Sequence, residues 1–177
     1  MSSSDPSFDI DGHPKGSYVR MIEDIGRALD YLKVEQMPPT SAFLFYYISC
    51  EKLAKIMMAI CQRKTRAEIF GQGSYTPGAG DIRDYSQRLE CNVRLSDINC
   101  IFDSKNKHSA RKLRDIFVHE VGPSHAKQIV DHSPSLVPKM KNFLDSRGTV
   151  IQFIKTNAEI LLKNPPKISK KSKNLCT

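Results

Sequence analysis

Beyond the Pro38-Pro39 break, from about Thr40 or Ser41 to about Arg63, the chain carries a helical apolar pattern too broad for a single face. Phe43, Tyr47, Cys50, Ala54, Met57 and Cys61 follow one stripe, and Leu44, Ile48, Leu53, Ile56 and Ile60 widen it. A helix apolar around most of its circumference has to be covered on more than one side, which predicts a central helix with others packed about it. Thr40 or Ser41 is placed to cap it. Glu51 and Lys55 stand four apart on it and are spaced to pair. At 177 residues the chain has room for one domain with a real core, and too little for two.

The flanks repeat the helical theme. Ser17 precedes Tyr18, Ile22, Ile25, Leu29 and Leu32, the spacing of an amphipathic helix that stops before Pro38. Residues 70–81, Phe70 to Asp81, form a glycine-rich stretch that is predicted to lie outside the helices. It has no GK[ST] ending and no preceding strand, so it is not a nucleotide-binding P-loop. Helicity resumes with Ile82, Tyr85, Leu89, Val93, Ile98 and Ile101, and again from about His108 to Val121, where Gly122 and Pro123 stop it. A short helix over Ser124–Asp131, another from Ser135 to Asp145 ended by Gly148, and a last one using Val150, Ile154, Ala158 and Leu161 complete the pattern. No run alternates at period two. The predicted class is therefore all-α, an up-and-down helical bundle with extra short C-terminal helices and a glycine-rich loop. Residues 1–16 read as a loose arm, 17–162 as the helical domain and 163–177 as a basic tail.

The net charge of +8 is concentrated in that tail, where Lys163, Lys167, Lys170, Lys171 and Lys173 stand without an acid and leave only +3 for the rest. A mildly basic body with a basic extension suits a polyanionic partner such as RNA. No stretch approaches the roughly eighteen apolar residues of a membrane helix, and the first thirty positions lack a signal peptide's apolar core. A cytoplasmic protein without a membrane partner is expected. Cys50, Cys61, Cys91, Cys100 and Cys176 have no CxxC spacing, and the first four fall in predicted helices; they read as buried apolar residues, not as disulfides or zinc ligands.

Chemistry is concentrated in the run KLRDIFVHEVG. At about 100° per residue, Ala110, Leu113, Phe117 and Val121 share the face to be buried, with Ile116 at its edge. Arg114 borders that stripe, and His119 is about 140° further round, so one isolated helix does not aim both at one atom. Asp115 and His119 are i,i+4 neighbours, a spacing that lets the carboxylate fix the imidazole tautomer. A guanidinium binds phosphate with two prongs, and an imidazole exchanges protons near neutral pH. Together the three groups suit cleavage of a phosphodiester without a metal. No HExxH pattern accompanies His119, Glu120 and His125, and Arg114 would repel a cation, so neither a metal nor another cofactor is expected. His13 and His108 have no constellation, and His125 and His132 read as loop or helix-end polar groups. A local ion pair on a solvated face is the plain alternative for Arg114, Asp115 and His119.

The segment Arg114-Asp115-Ile116-Phe117-Val118-His119 resembles the Rx4-6H motif of HEPN domains, and the run FYYISCEKLAKIMMAICQ is similar to their long second helix. The resemblance in helix order covers roughly residues 17–162. It implies a HEPN-type bundle and a metal-independent endoribonuclease, a toxin or antiviral effector, whose site forms where two copies meet. It also implies that Arg114 contacts the scissile phosphate, His119 handles protons and Asp115 orients or tunes them. Arg111, Lys112, Tyr75 and Gln72 are further candidates for RNA contact. Glu120 and Val121 follow His119, so the H-x-Y continuation of one branch of that family is missing. The resemblance equally admits a noncatalytic RNA-binding or protein-interaction module, with an inhibitory or regulatory protein partner in a larger assembly.

Overall fold

Prolines and left-handed residues punctuate the chain and set where its helices begin and end. The computed structural model describes residues 18–157 apart from 65, 74 and 121; the predicted arm, the basic tail and the end of the predicted last helix, with Ala158, Leu161 and Cys176, lie outside the described residues. Eight α-helices are present among them: α1 (Tyr18–Leu32), α2 (Pro39–Gln62), α3 (Arg66–Phe70), α4 (Ala79–Arg88), α5 (Leu95–Phe102), α6 (Ala110–His119), α7 (Pro123–Asp145) and α8 (Arg147–Thr156), with a 3₁₀ turn at Val34–Gln36. No strand occurs among the described residues, so the class is all-α. Lys33, Arg63 and Glu90 take positive φ, each just past the end of a helix, where a left-handed residue turns the chain away.

The broad apolar pattern of α2 has the predicted consequence. Phe43, Tyr47, Cys50, Leu53, Ala54, Ile56 and Met57 are completely buried, and α2 packs against α1, α3, α4, α6, α7 and α8. Each large apolar side chain so buried contributes about 1.5–3 kcal/mol before entropy is set against it. Its start differs from expectation by a residue or two. Pro39 is the first helical residue and Pro38 the cap, because proline lacks only an N–H that no helix uses at that position.

The C-terminal part departs further from the sequence reading. Instead of two short helices there is one, α7, with Pro134 and Pro138 inside it. Both prolines are exposed and four apart, so the carbonyls they leave unbonded face solvent. The opposite face carries Ile129, Leu136, Met140, Phe143 and Leu144 into the core. Its burial on α2 and α5 outweighs the local cost, and the Ser133 and Ser135 hydroxyls donate to the carbonyls of Ile129 and His132 at 2.7 and 2.9 Å. Gly148 does not end this helix; it lies in the first turn of α8, after a break at Ser146. The glycine-rich loop is also shorter than expected, since Phe70 closes α3 and Ala79–Asp81 already belong to α4. Cys91 lies between α4 and α5 and not in a helix.

Candidate functional site

Helix α6 is held at the edge of the bundle. Ser109 caps it, its hydroxyl accepting from the Lys112 amide at 3.2 Å, which is worth about 1 kcal/mol. Ala110 and Leu113 are its buried residues, and Phe117 and Ile116 are half-buried. Val121 lies outside the described residues. The helix ends at His119, two residues before the expected Val121, with Glu120 as its cap.

Arg114 turns inward to α2. Its Nη2 donates to Glu51 at 3.2 Å, its Nη1 lies 3.1 Å from Asp115 Oδ1, and its guanidinium carbon stands 5.0 Å from the centre of the Tyr47 ring. Burial alone would make the guanidinium easier to deprotonate, but Tyr47, Glu51 and Asp115 more than reverse this and keep it charged. Arg114 Nε and the Tyr47 hydroxyl are buried here with no well-formed hydrogen bond, and the interaction between the two side chains helps to keep the arginine charged. Burial, with Glu51 beside it, pushes Tyr47 above the usual phenol range, so it is neutral.

Glu51 is the hub that the sequence reading missed. Besides Arg114 it accepts a hydrogen bond from the Thr76 hydroxyl, and Lys55 Nζ lies 3.9 Å away, as the i,i+4 spacing predicts. Arg111 completes the join by donating from Nη1 to the carbonyls of Thr76 and Pro77, both at 3.3 Å. The loop between α3 and α4 is thereby tied to α2 and α6. A lone carboxylate inside FYYISCEKLAKIMM was the available signal, since a charge in so apolar a helix needs a partner from elsewhere.

The other candidate residues are distributed as follows. His119 is exposed and makes no hydrogen bond or ion pair with the described residues. Asp115 pairs with Arg114 and not with His119, which corrects the expected i,i+4 partnership; the guanidinium is the stronger competitor for the carboxylate. Lys112 and Gln72 are exposed, and Tyr75 is half exposed with Lys64 Nζ 5.5 Å from its ring centre. Arg111 is committed to the loop carbonyls. His125 stands in the first turn of α7, its Nδ1 donating to the Glu120 carbonyl at 2.5 Å. His132 is not at a helix end but in mid-α7, and its ring lies 4.6 Å from that of His108.

Burial lifts the Cys61 and Cys91 thiols to about 11 and holds Cys50 well above the usual thiol range, so these sulfurs are protonated and poor nucleophiles near neutral pH. No group of three or more His, Cys, Asp or Glu side chains able to hold a metal occurs among the described residues. No helix among them is long and apolar enough to cross a membrane. Comparison with known proteins finds no matching family model, no matching curated protein and no matching solved structure.

Proposed function

We propose that the protein is a metal-independent endoribonuclease of the HEPN type that acts as a homodimer. The observation that carries this reading is the contrast within one helix: a charged, anchored Arg114 and, five residues on, an exposed His119 without a partner among the described residues. A histidine kept for packing would be buried against apolar side chains, whereas this one is available to exchange protons with a ligand. Val118, beside His119 on α6, is exposed, which gives a second copy an apolar contact within the motif.

In such a dimer Arg114 of one copy and His119 of the other face the same phosphodiester. The imidazole takes the proton of the ribose 2′-hydroxyl as that oxygen attacks phosphorus, the imidazolium so formed gives it to the departing 5′-oxygen, and the product carries a cyclic phosphate. Arg114 offsets the charge that builds on the phosphoryl oxygens. Asp115 holds the guanidinium instead of the imidazole.

One observation favours the noncatalytic alternative, a HEPN-like RNA-binding or protein-interaction module. Both terminal nitrogens of Arg114 are already taken by carboxylates, as in a structural ion-pair network. The two readings separate when purified protein is incubated with mixed RNA in EDTA beside R114A and H119A. The enzyme reading expects a loss of about 10²-fold or more in each variant, with dimerisation retained. Equal cleavage by all three forms, or none by the native protein, contradicts it.

A further inference from the structure

We propose that Glu51 is a built-in competitor for the phosphate that Arg114 would bind, and that the α3–α4 loop latches it in place. The inference rests on the phosphate-binding role given to Arg114 above. Three donors converge on the Glu51 carboxylate: Arg114 Nη2, the Thr76 hydroxyl and, at 3.9 Å, Lys55 Nζ. A guanidinium, a hydroxyl and an ammonium around two oxygens is a donor set that suits a phosphodiester as well as a carboxylate. The Glu51 and Arg114 side chains are about one-fifth exposed, so the set lies at the surface and within reach of a ligand. An incoming phosphate has to displace Glu51 from the guanidinium before it can be held by two prongs.

The buried polar atoms indicate how the arginine is released. Arg114 Nε and the Tyr47 hydroxyl are buried with no well-formed hydrogen bond, and the interaction between these two side chains satisfies them only in part. Moving the guanidinium outward returns Nε to water or to a phosphate oxygen, so the inward position gains its ion pairs at the expense of these groups. The loop opposes that movement. Thr76 holds Glu51, and Arg111 holds Thr76 and Pro77 through their carbonyls, so carboxylate and loop leave together. Removal of Glu51 therefore strengthens anion binding, whereas a carboxylate that positioned Arg114 for catalysis would weaken it when removed.

The test measures fluorescence anisotropy of a labelled, non-cleavable 2′-O-methyl RNA twelve-mer with the full chain at one fixed salt concentration. Glu51→Gln is expected to bind about 5- to 10-fold tighter than native protein, and the double variant E51Q/R114A to lose that gain. Glu23→Gln, an equal charge change on the exposed side of α1, shifts affinity by less than about twofold. Thr76→Val releases the latch without changing charge and gives a gain of about 2- to 3-fold; it decides the matter should E51Q fold poorly by circular dichroism. No gain in E51Q beyond that of E23Q, or a gain that survives loss of Arg114, overturns the proposal. Tighter binding by E51Q and T76V in a protein that cleaves no RNA upholds the competitor and removes the nuclease reading. Cleavage by native protein with affinities unchanged in both variants does the reverse.

Discussion

The α2–α7 contact and the α6 edge are built by opposite means. Along α2 and α7 the joining groups are fully buried apolar side chains, among them Tyr47, Leu53, Met140 and Phe143, with Phe102 of α5 edge-on to Phe143 at 5.1 Å. At α6 only Ala110 and Leu113 are buried, and the helix is tied down by Arg114, Arg111 and the Ser109 cap. Apolar burial cannot be exchanged for contact with water without loss, whereas an ion pair can be traded for another charge of the same sign. The difference teaches that the core fixes the fold and leaves α6 on contacts that a charged ligand is able to replace.

Substitutions on the two sides sharpen this contrast. Phe143→Ala should lower stability by about 3–5 kcal/mol through loss of burial and the cavity left behind, read by urea denaturation. Arg114→Ala should cost less, about 1–3 kcal/mol, because it takes from half-buried Glu51 one of its three donors without opening the main core. An Arg114→Ala cost equal to that of Phe143→Ala would break the comparison, since α6 would then be part of the core.

The smallest effect comes from the other side of α2. The Tyr46 hydroxyl at 2.5 Å, with Lys141 at 3.2 Å, lowers Glu35 from its ordinary 4.5 to about 2. A carboxylate depressed in the folded state stabilises above its unfolded pKa, and this contribution disappears as pH falls from about 4.5 toward 2. Glu35 is largely exposed, so solvent holds the effect below about 1 kcal/mol. Denaturation of native protein and Glu35→Gln should differ slightly at pH 6 and converge at the acid end; a gap that widens on acidification would contradict the assignment.

Much of this was legible in the sequence because apolar periodicity is a local signal. The α1 stripe from Tyr18 to Leu32 and the all-round pattern of α2 follow from it directly. The continuity of α7 was not, since Pro134 and Pro138 read locally as breaks, and only burial of Ile129, Leu136 and Met140 against other helices shows why the helix persists. The site divides in the same way. Arg114, Asp115 and His119 stand together in the chain, so their spacing could be read. Glu51 and Thr76 come to Arg114 from 63 and 38 positions away, and no local pattern links them. The expected Asp115–His119 pair failed for a related reason: spacing lets two groups meet, but competition from a third decides which pair forms.

The proposed cleavage requires Arg114 and His119 to act across two copies, because about 140° of one helix separates them. Mixing purified R114A with H119A, under conditions where the two exchange subunits, tests this directly. Each heterodimer then joins one intact arginine to one intact histidine from different chains. The expected result is that two inactive variants regain RNA cleavage in EDTA when mixed. Heterodimers that form and stay as inactive as their parents, beside an active native protein, would contradict it.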